Sequence, residues 1–447
     1  MRLKKPLLAT AALAALASLA PLAGAQAPAP GAPANPSPDD ILGNIVVVAG
    51  QGAGRRLPKV AVYPSLASEM EDVTLRAVVG RDLDLCGEFE VLADKSAPES
   101  AYGDGPVDVK AWSAKGVEAL VRVSAKKLGT DRVELRGQAF FTNRGADPVY
   151  DKRFSVPAAS LREESHRLAD LLIGALTGQN GSFASHLAFG SGGGAGRRVF
   201  TIDADGHDPR AASPEGESAI APAFGKNGEL YYASARATGD YLIHHAGGAV
   251  APMNYKAPVY GLAFSRDHAQ VAVSLGAGDT IKVFAGPDLA SLRPASEVGM
   301  AMHPAFTPSG KLAFSGEGKS GTQRIFIDDK PVTPEGLSAS SPVFCNNQDG
   351  VRLLFAVGVG KNTDLVTTSE RGGQLVRLTQ NQGRNSYPAC SPDGRLVAFF
   401  STRTSGEGPG LYVMRIDGGR PKRVSPMLGD TLRWDALPKG SAVELKD

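Results

Sequence analysis

From residue 183 onward, three kinds of short β run return in a fixed order, and this repetition limits the possible folds more than any other feature. The first kind sets an aromatic residue two places after Pro or its equivalent: Pro222-Ala-Phe224, Leu262-Ala-Phe264, Pro304-Ala-Phe306, Pro342-Val-Phe344 and, with a thiol in the aromatic place, Pro388-Ala-Cys390. A turn follows, clearest as Ser391-Pro-Asp-Gly394 and Thr307-Pro-Ser-Gly310. An apolar run comes next, at 187–189, 230–232, 271–273, 312–314, 353–355 and 396–399. The third run precedes an outer turn, at 199–203, 241–245, 281–284, 324–327, 364–368 and 411–416. The anchors at 224, 264, 306, 344 and 390 lie 40, 42, 38 and 46 residues apart. A period of ~40–45 residues built from short strands is that of a propeller blade.

The second and third runs occur six times each, but the first occurs only five times between residues 220 and 390. The missing copy is Asp430-Thr-Leu-Arg-Trp434-Asp, at the far end of the chain. Pairing it with the blade that begins near residue 187 leaves no unpaired sheet end in the ring. The expectation is a six-bladed β-propeller over 181–440, closed by the C-terminal strand, with 441–447 as a tail. The weakest copy is 260–270, where Ser265-Arg-Asp-His268 lacks the turn glycine. Glycine, at 53 of 447 residues, fits a chain rich in tight turns rather than long helices.

Ahead of the repeats, 41–180 reads as a small α/β domain. Strands are expected at 59–63, 89–92, 118–126, 132–141 and 149–154. Ser68-Glu-Met-Glu71 and Ser160-Leu-Arg-Glu163 have the spacing of capping boxes opening two helices, the second closed by Gly178. Ile41–Val48 fits either a first strand of the local sheet or a strand for addition to a partner.

The first 25 residues combine a basic start (Arg2, Lys4, Lys5), an apolar run from Leu7 to Ala20, and Ala23-Gly-Ala25. These are the three parts of a secretory signal peptide cleaved near Ala25, so the product is expected to be exported. Residues 26–40, rich in Pro and Ala, are expected to form a mobile leader. The full chain carries +2; without the three signal-peptide cations it carries 2 − 3 = −1. A near-neutral chain has no electrostatic case for nucleic acid. Three cysteines allow at most one bridge. Buried inert thiols are the default for Cys86, Cys345 and Cys390, with a Cys345–Cys390 bridge between neighbouring repeats as the alternative.

Two segments go further. Val79-Gly-Arg-Asp-Leu-Asp-Leu-Cys-Gly-Glu-Phe-Glu-Val91, and the stretch from His166-Arg-Leu-Ala-Asp170 through Leu176-Thr-Gly178 to Gly181-Ser-Phe183, resemble the TolB family of the Tol-Pal envelope system. The resemblance implies a non-catalytic, monomeric periplasmic scaffold without cofactors, serving outer-membrane integrity and constriction at cell division. It implies a Pal-like peptidoglycan-associated lipoprotein docked at one propeller mouth, so the protein meets the envelope membranes only through partners. The matching mouth positions are Pro258, Gly261, Met302 and His303, with Tyr260, Ser340, Tyr387 and Arg433 at the rim. It also implies a TolA-like inner-membrane partner at the N-terminal segment, assigned here to Ile45, Val46, Val47 and Val48.

Other chemistry finds little support. The alternative of a secreted propeller enzyme acting on sugars or peptides needs converging carboxylates, a metal or a nucleophile. There is no G-x-S-x-G. Gly318-Lys-Ser320 lacks the first phosphate-loop glycine, because residue 313 is Ala. Ser191-Gly-Gly-Gly-Ala-Gly196 reads as a blade turn. His244 and His245, adjacent on a strand, point to opposite faces and do not readily share a metal. His166 reads as a structural hydrogen-bonding residue.

Overall fold

The computed structural model describes residues 37–42, 56–64, 69–102, 106–236, 238–239 and 241–446. The expected signal peptide and the Ile45–Val48 segment lie outside them. Six four-stranded antiparallel sheets make up the C-terminal two-thirds, each ordered from an innermost strand outward. Blade 1 is closed from the far end: Asp430–Ala436 pairs with Ser185–Ser191, setting Trp434 opposite Leu187. The Trp434 indole N–H donates to Ser185 Oγ at 2.7 Å. Blades 2 to 6 begin at Ala219, Val259, Met302, Ala339 and Asn385, and the six innermost strands touch around the channel.

Alternation along the strands gives each sheet two apolar faces, and a packed cluster fills every seam of the ring. Val199 and Tyr232 meet between blades 1 and 2, Ile243 and Val273 between 2 and 3, and Val283 and Phe314 between 3 and 4. Ile325 and Phe355 meet between 4 and 5, Leu354 and Phe399 between 5 and 6, and Phe400 and Phe189 between 6 and 1. Burying one such side chain contributes about 1.5–3 kcal/mol, so the seams carry the ring.

The first domain is a sheet of β1 (Lys59–Val62), β2 (Glu90–Val91), β3 (Ala119–Lys127), β4 (Arg132–Phe141) and β5 (Tyr150–Pro157), in the order β2-β1-β3-β4-β5. β1 runs parallel to both its neighbours, and the other pairs are antiparallel. Of its helices, the two long ones, Met70–Leu85 and Leu161–Thr177, pack together on one face of the sheet. Their apolar sides merge with blades 1 and 6 in one cluster containing Leu168, Phe183, Phe189 and Trp434.

Several expectations are corrected. The first long helix starts at Met70 with Glu69 as N-cap, and Ser68 lies outside the described residues. Ser160 caps nothing with its side chain, because a 3₁₀ turn at Ala158–Ser160 leaves it at φ −105°, ψ 16° instead of extended. Gly178 does close that helix, at φ 84°. The end of the supposed mobile leader is ordered. Ser37 and Asp40 form a capping box, with the Ser37 amide donating to Asp40 Oδ2 at 2.9 Å and the Asp40 amide to Ser37 Oγ at 3.3 Å, and Pro38–Leu42 is a helical turn rather than a strand. Leu42 is buried in the seam between blades 4 and 5, and Asp39 accepts from Arg377 at 2.8 Å. Cys345 and Cys390 are bridged, joining the innermost strands of blades 5 and 6, so only Cys86 remains a free buried thiol. Residues expected as a tail include Val443–Leu445, which adds a sixth strand to the first sheet beside β5.

Candidate functional site

Each innermost strand carries a break in register, and the residues it displaces shape the channel mouth. In five blades the break leaves a non-glycine residue in left-handed conformation: Ala221, His303, Ser341, Tyr387 and Thr431, with φ of 51°, 53°, 55°, 52° and 50°. Proline follows in four of them. Such a conformation costs roughly 1 kcal/mol or more per residue and persists only where the surroundings enforce it. His303, Ser341, Tyr387 and Thr431 line one small cavity together with Arg433. The repeated strain thus sets four different side chains around one axis.

The predicted mouth residues fall into two groups. His303, Tyr387 and Arg433 come together: the His303 and Tyr387 rings lie 6.1 Å apart, edge to face, and both line the cavity beside Arg433. His303 Nδ1 pairs with Ser315 Oγ at 2.8 Å, and Ser315 also donates to the Met302 carbonyl at 3.0 Å, tying Met302 to the same strand pair. Burial, helped by Arg433, pushes the His303 imidazolium down to about 4, so the ring is neutral. Burial pushes the Tyr387 phenol up, assisted by Asp430. Pro258, Tyr260 and Gly261 belong to blade 3 and do not line this cavity. Tyr260 is exposed on the rim, and Pro258 packs over Gly276. At Gly261 blade 4 comes close, because a Cβ there would meet Pro304 Cδ at 2.5 Å. Ser340 stands one residue from the cavity; its neighbour Ser341 lines it. The signal that finds Ser341 is the residue immediately before the strand proline, shared with Ala221, His303 and Tyr387.

A second constellation joins the domains, and of its members sequence reading singled out only His166. This imidazole is almost completely buried between the helices and blade 1. Its Nδ1 lies 2.7 Å from Asp82 Oδ2, and its Nε2 faces Asp203 at 3.8 Å. Arg162 donates to Asp203 at 2.6 Å and also to Asp205, and Arg81 donates to the Asp205 carbonyl at 3.0 Å. Burial opposes charge on His166, but Asp82, Asp203 and Asp205 outweigh it and hold the imidazolium up at about 10. Burial raises Asp82 to about 6 against the pull of His166. Burial also works to raise Asp203, yet the neighbouring His166, His186 and Arg162 together keep it well below the usual range. Asp82, His166 and Asp205 offer one ligand-type atom each within 4.8 Å of one another. Here guanidinium and imidazolium already supply the positive charge, so the group reads as an interdomain ion-pair network.

Residues 45–145 match the TolB amino-terminal domain family. Among curated relatives, the Tol-Pal system protein TolB of Nitrosococcus oceani is 32% identical over 164 residues, 35% of this chain and 38% of that protein. The TolB of Albidiferax ferrireducens is 29% identical over 184 residues, 41% of this chain and 43% of the relative. The chain resembles TolB. The sequence matches span about two-fifths of the relatives' length, and the fold extends the likeness further. A crystal structure of TolB from Acinetobacter baumannii superposes with a TM-score of 0.68 at 19% identity, covering 85% of this chain and 96% of that one. The six-bladed propeller behind a small helix-bearing domain is therefore the TolB architecture. Among the described residues, no helix is long and apolar enough to cross a membrane.

Proposed function

We propose that this chain is a non-catalytic, periplasmic Tol-Pal component whose propeller mouth docks a peptidoglycan-associated lipoprotein of the Pal type. In this reading Tyr260, Met302, Tyr387 and their neighbours form the contact, and an inner-membrane partner of the TolA type engages the N-terminal part through Ile45–Val48. The system then maintains the outer membrane and draws it inward at division. The observation that carries the reading is the ring of enforced left-handed residues, which sets His303, Ser341, Tyr387 and Thr431 in place before any partner arrives. Preorganised aromatic and polar side chains of this kind suit protein recognition, because little rotamer freedom remains to be lost. No carboxylate lines that cavity, whereas the rival sugar-cleaving chemistry would need two.

The test is affinity capture from cell envelopes with the full chain as bait. Recovery of a peptidoglycan-bound lipoprotein, reduced at least tenfold by Tyr387→Ala and by Met302→Ala in folded protein, supports the proposal. Capture unchanged in both variants moves the contact elsewhere, and no lipoprotein in mild detergent overturns the reading.

A further inference from the structure

The face of the first sheet turned away from the two long helices is only half covered. Trp112 packs there with Ala61, Tyr63, Leu120 and Phe140. Beyond that cover Ser124 and Lys126 are exposed on β3. Cross-strand register sets Lys126 opposite Glu134, Glu134 opposite Ser155, and Ser155 opposite Val443. The next row is Ser124, Arg136, Arg153 and Leu445, and the third is Arg122, Gln138 and Asp151. Alternation puts Arg132 on the same side as Glu134, while Val133 and Leu135 between them turn to the helices and are fully buried.

This face carries Arg122, Lys126, Arg132, Arg136 and Arg153 against Glu134 and Asp151, a surplus of three positive charges on a chain whose full total is +2. Asp151 is engaged by Arg136 at 2.7 Å and by Gln138 at 2.8 Å. Arg132 donates to the Ser155 hydroxyl and carbonyl, both neutral and both at 2.7 Å, and Arg122 lies 5.2 Å over the Tyr63 ring. The cations are not filed along a groove. Residues on one face stand ~7 Å apart along a strand and strands ~5 Å apart, so these charges form a lattice across β3, β4 and β5. An extended acidic segment would meet one line of that lattice, whereas a layer of phosphates meets all of it, and guanidinium forks suit phosphate. Val443, 58% exposed, and Leu445 add aliphatic bulk at the margin. We propose that this face rests on a bilayer surface rich in anionic phospholipid headgroups. The chain then has a membrane contact of its own, apart from those expected through partners, and the inference does not depend on any lipoprotein docked at the channel.

Vesicle sedimentation, with the protein as the cell exports and processes it, tests the proposal. Vesicles of equal parts phosphatidylglycerol and phosphatidylcholine should carry wild type down, and phosphatidylcholine alone should not. Added salt should release the protein, because the attraction is screened. Lys126→Glu should weaken partitioning onto the anionic vesicles about tenfold, and adding Arg122→Gln should weaken it further. Lys330→Glu, on the outermost strand of blade 4, changes net charge equally but away from this face, and should stay within about twofold of wild type. Both lysines are exposed, so each variant keeps the fold, which its melting temperature verifies. Should Lys126→Glu melt early, Arg122→Gln alone carries the comparison. Absence of binding to the anionic vesicles, equal binding to both kinds, or equal loss from Lys126→Glu and Lys330→Glu overturns the proposal. Capture of an acidic envelope protein that Lys126→Glu abolishes, with neither vesicle bound, assigns the face to a protein partner and overturns it as well.

Discussion

Replacing His166 probes the seam between the two domains. The imidazole is 2% exposed, its partner Asp82 is 0% exposed, and they lie 2.7 Å apart. Raising His166 from 6.5 to about 10 is worth roughly 5 kcal/mol, at ~1.4 kcal/mol per tenfold change in proton affinity. Burial raises Asp82 as well, to about 6, against the pull of the same imidazolium. His166→Leu strands that buried carboxylate, and the expected cost is about 3–5 kcal/mol. Adding Asp82→Asn removes the stranded charge and should recover at least half of the loss. The pH dependence has a definite sign. His166 has a folded-state pKa above its unfolded value, so its stabilisation is complete below ~6.5 and disappears as pH rises through about 10. Wild type should therefore lose up to ~1.4 kcal/mol per pH unit across that window, and the His166→Leu/Asp82→Asn double variant, in which neither group titrates, should lack this slope. In wild type the opposing Asp82 contribution grows between pH 3.8 and about 6 and stays constant above, whereas in His166→Leu burial alone acts on Asp82 and raises it further, so the slope is read against the double variant. Urea unfolding at pH 7, 8 and 9 provides the assay, read by fluorescence of Trp112 in the first domain and Trp434 in blade 1. A cost under ~1 kcal/mol for His166→Leu, or parallel pH slopes in wild type and the double variant, refutes the reasoning.

Four other expectations concern local features. Reducing Cys345–Cys390, or replacing both cysteines by Ser, should lower stability by up to ~4 kcal/mol from the loop entropy of a 45-residue separation, seen as a shift in urea midpoint with reductant. Over the same titration Cys86 should resist Ellman's reagent in the folded protein, because burial pushes its thiol up to about 12. Gly261→Ala should destabilise the fold by about 1–3 kcal/mol in thermal melts, since the added methyl meets a rigid proline ring at Pro304. Asp39→Ala combined with Leu42→Ser should raise hydrogen exchange at 38–42 while leaving the global melting temperature nearly unchanged, since Arg377 keeps Asp364 as a partner.

The ring was legible because its evidence is periodic. Six copies of an apolar run, and a surplus strand ending at Trp434, leave one economical closure, and a period-2 strand needs no distant information to be recognised. Pairings that no repeat announces were less legible. The Cys345–Cys390 bridge needs strand registers in adjacent blades to agree, and the register breaks at Ser340/Val343 and Ser386/Ala389 shift both strands in ways spacing does not show. His166 was visible in its helix, but Asp203 and Asp205 sit in a turn of blade 1 that looks like any other Asp-Gly turn until the helices are laid against it. Composition also misled locally. The Pro/Ala content of 26–40 obscured a Ser37–Asp40 capping box, whereas at Ser160 the box spacing was present and the backbone could not use it. At the mouth, Ser340 and Ser341 differ by one place, and only the left-handed backbone at Ser341 singles it out.

The last eighteen residues complete two structures at once. Asp430–Ala436 finishes blade 1, Arg167 then donates to the Pro438 carbonyl at 2.6 Å, and Val443–Leu445 becomes the edge strand beside β5. A ribosome making this chain therefore releases the N-terminal sheet and the first blade unfinished, each waiting for the same C-terminal stretch. A chain cut before Asp430 leaves the innermost strand position of blade 1 empty, whereas one cut between the two strands closes the ring and moves the outer edge of the first sheet back to β5.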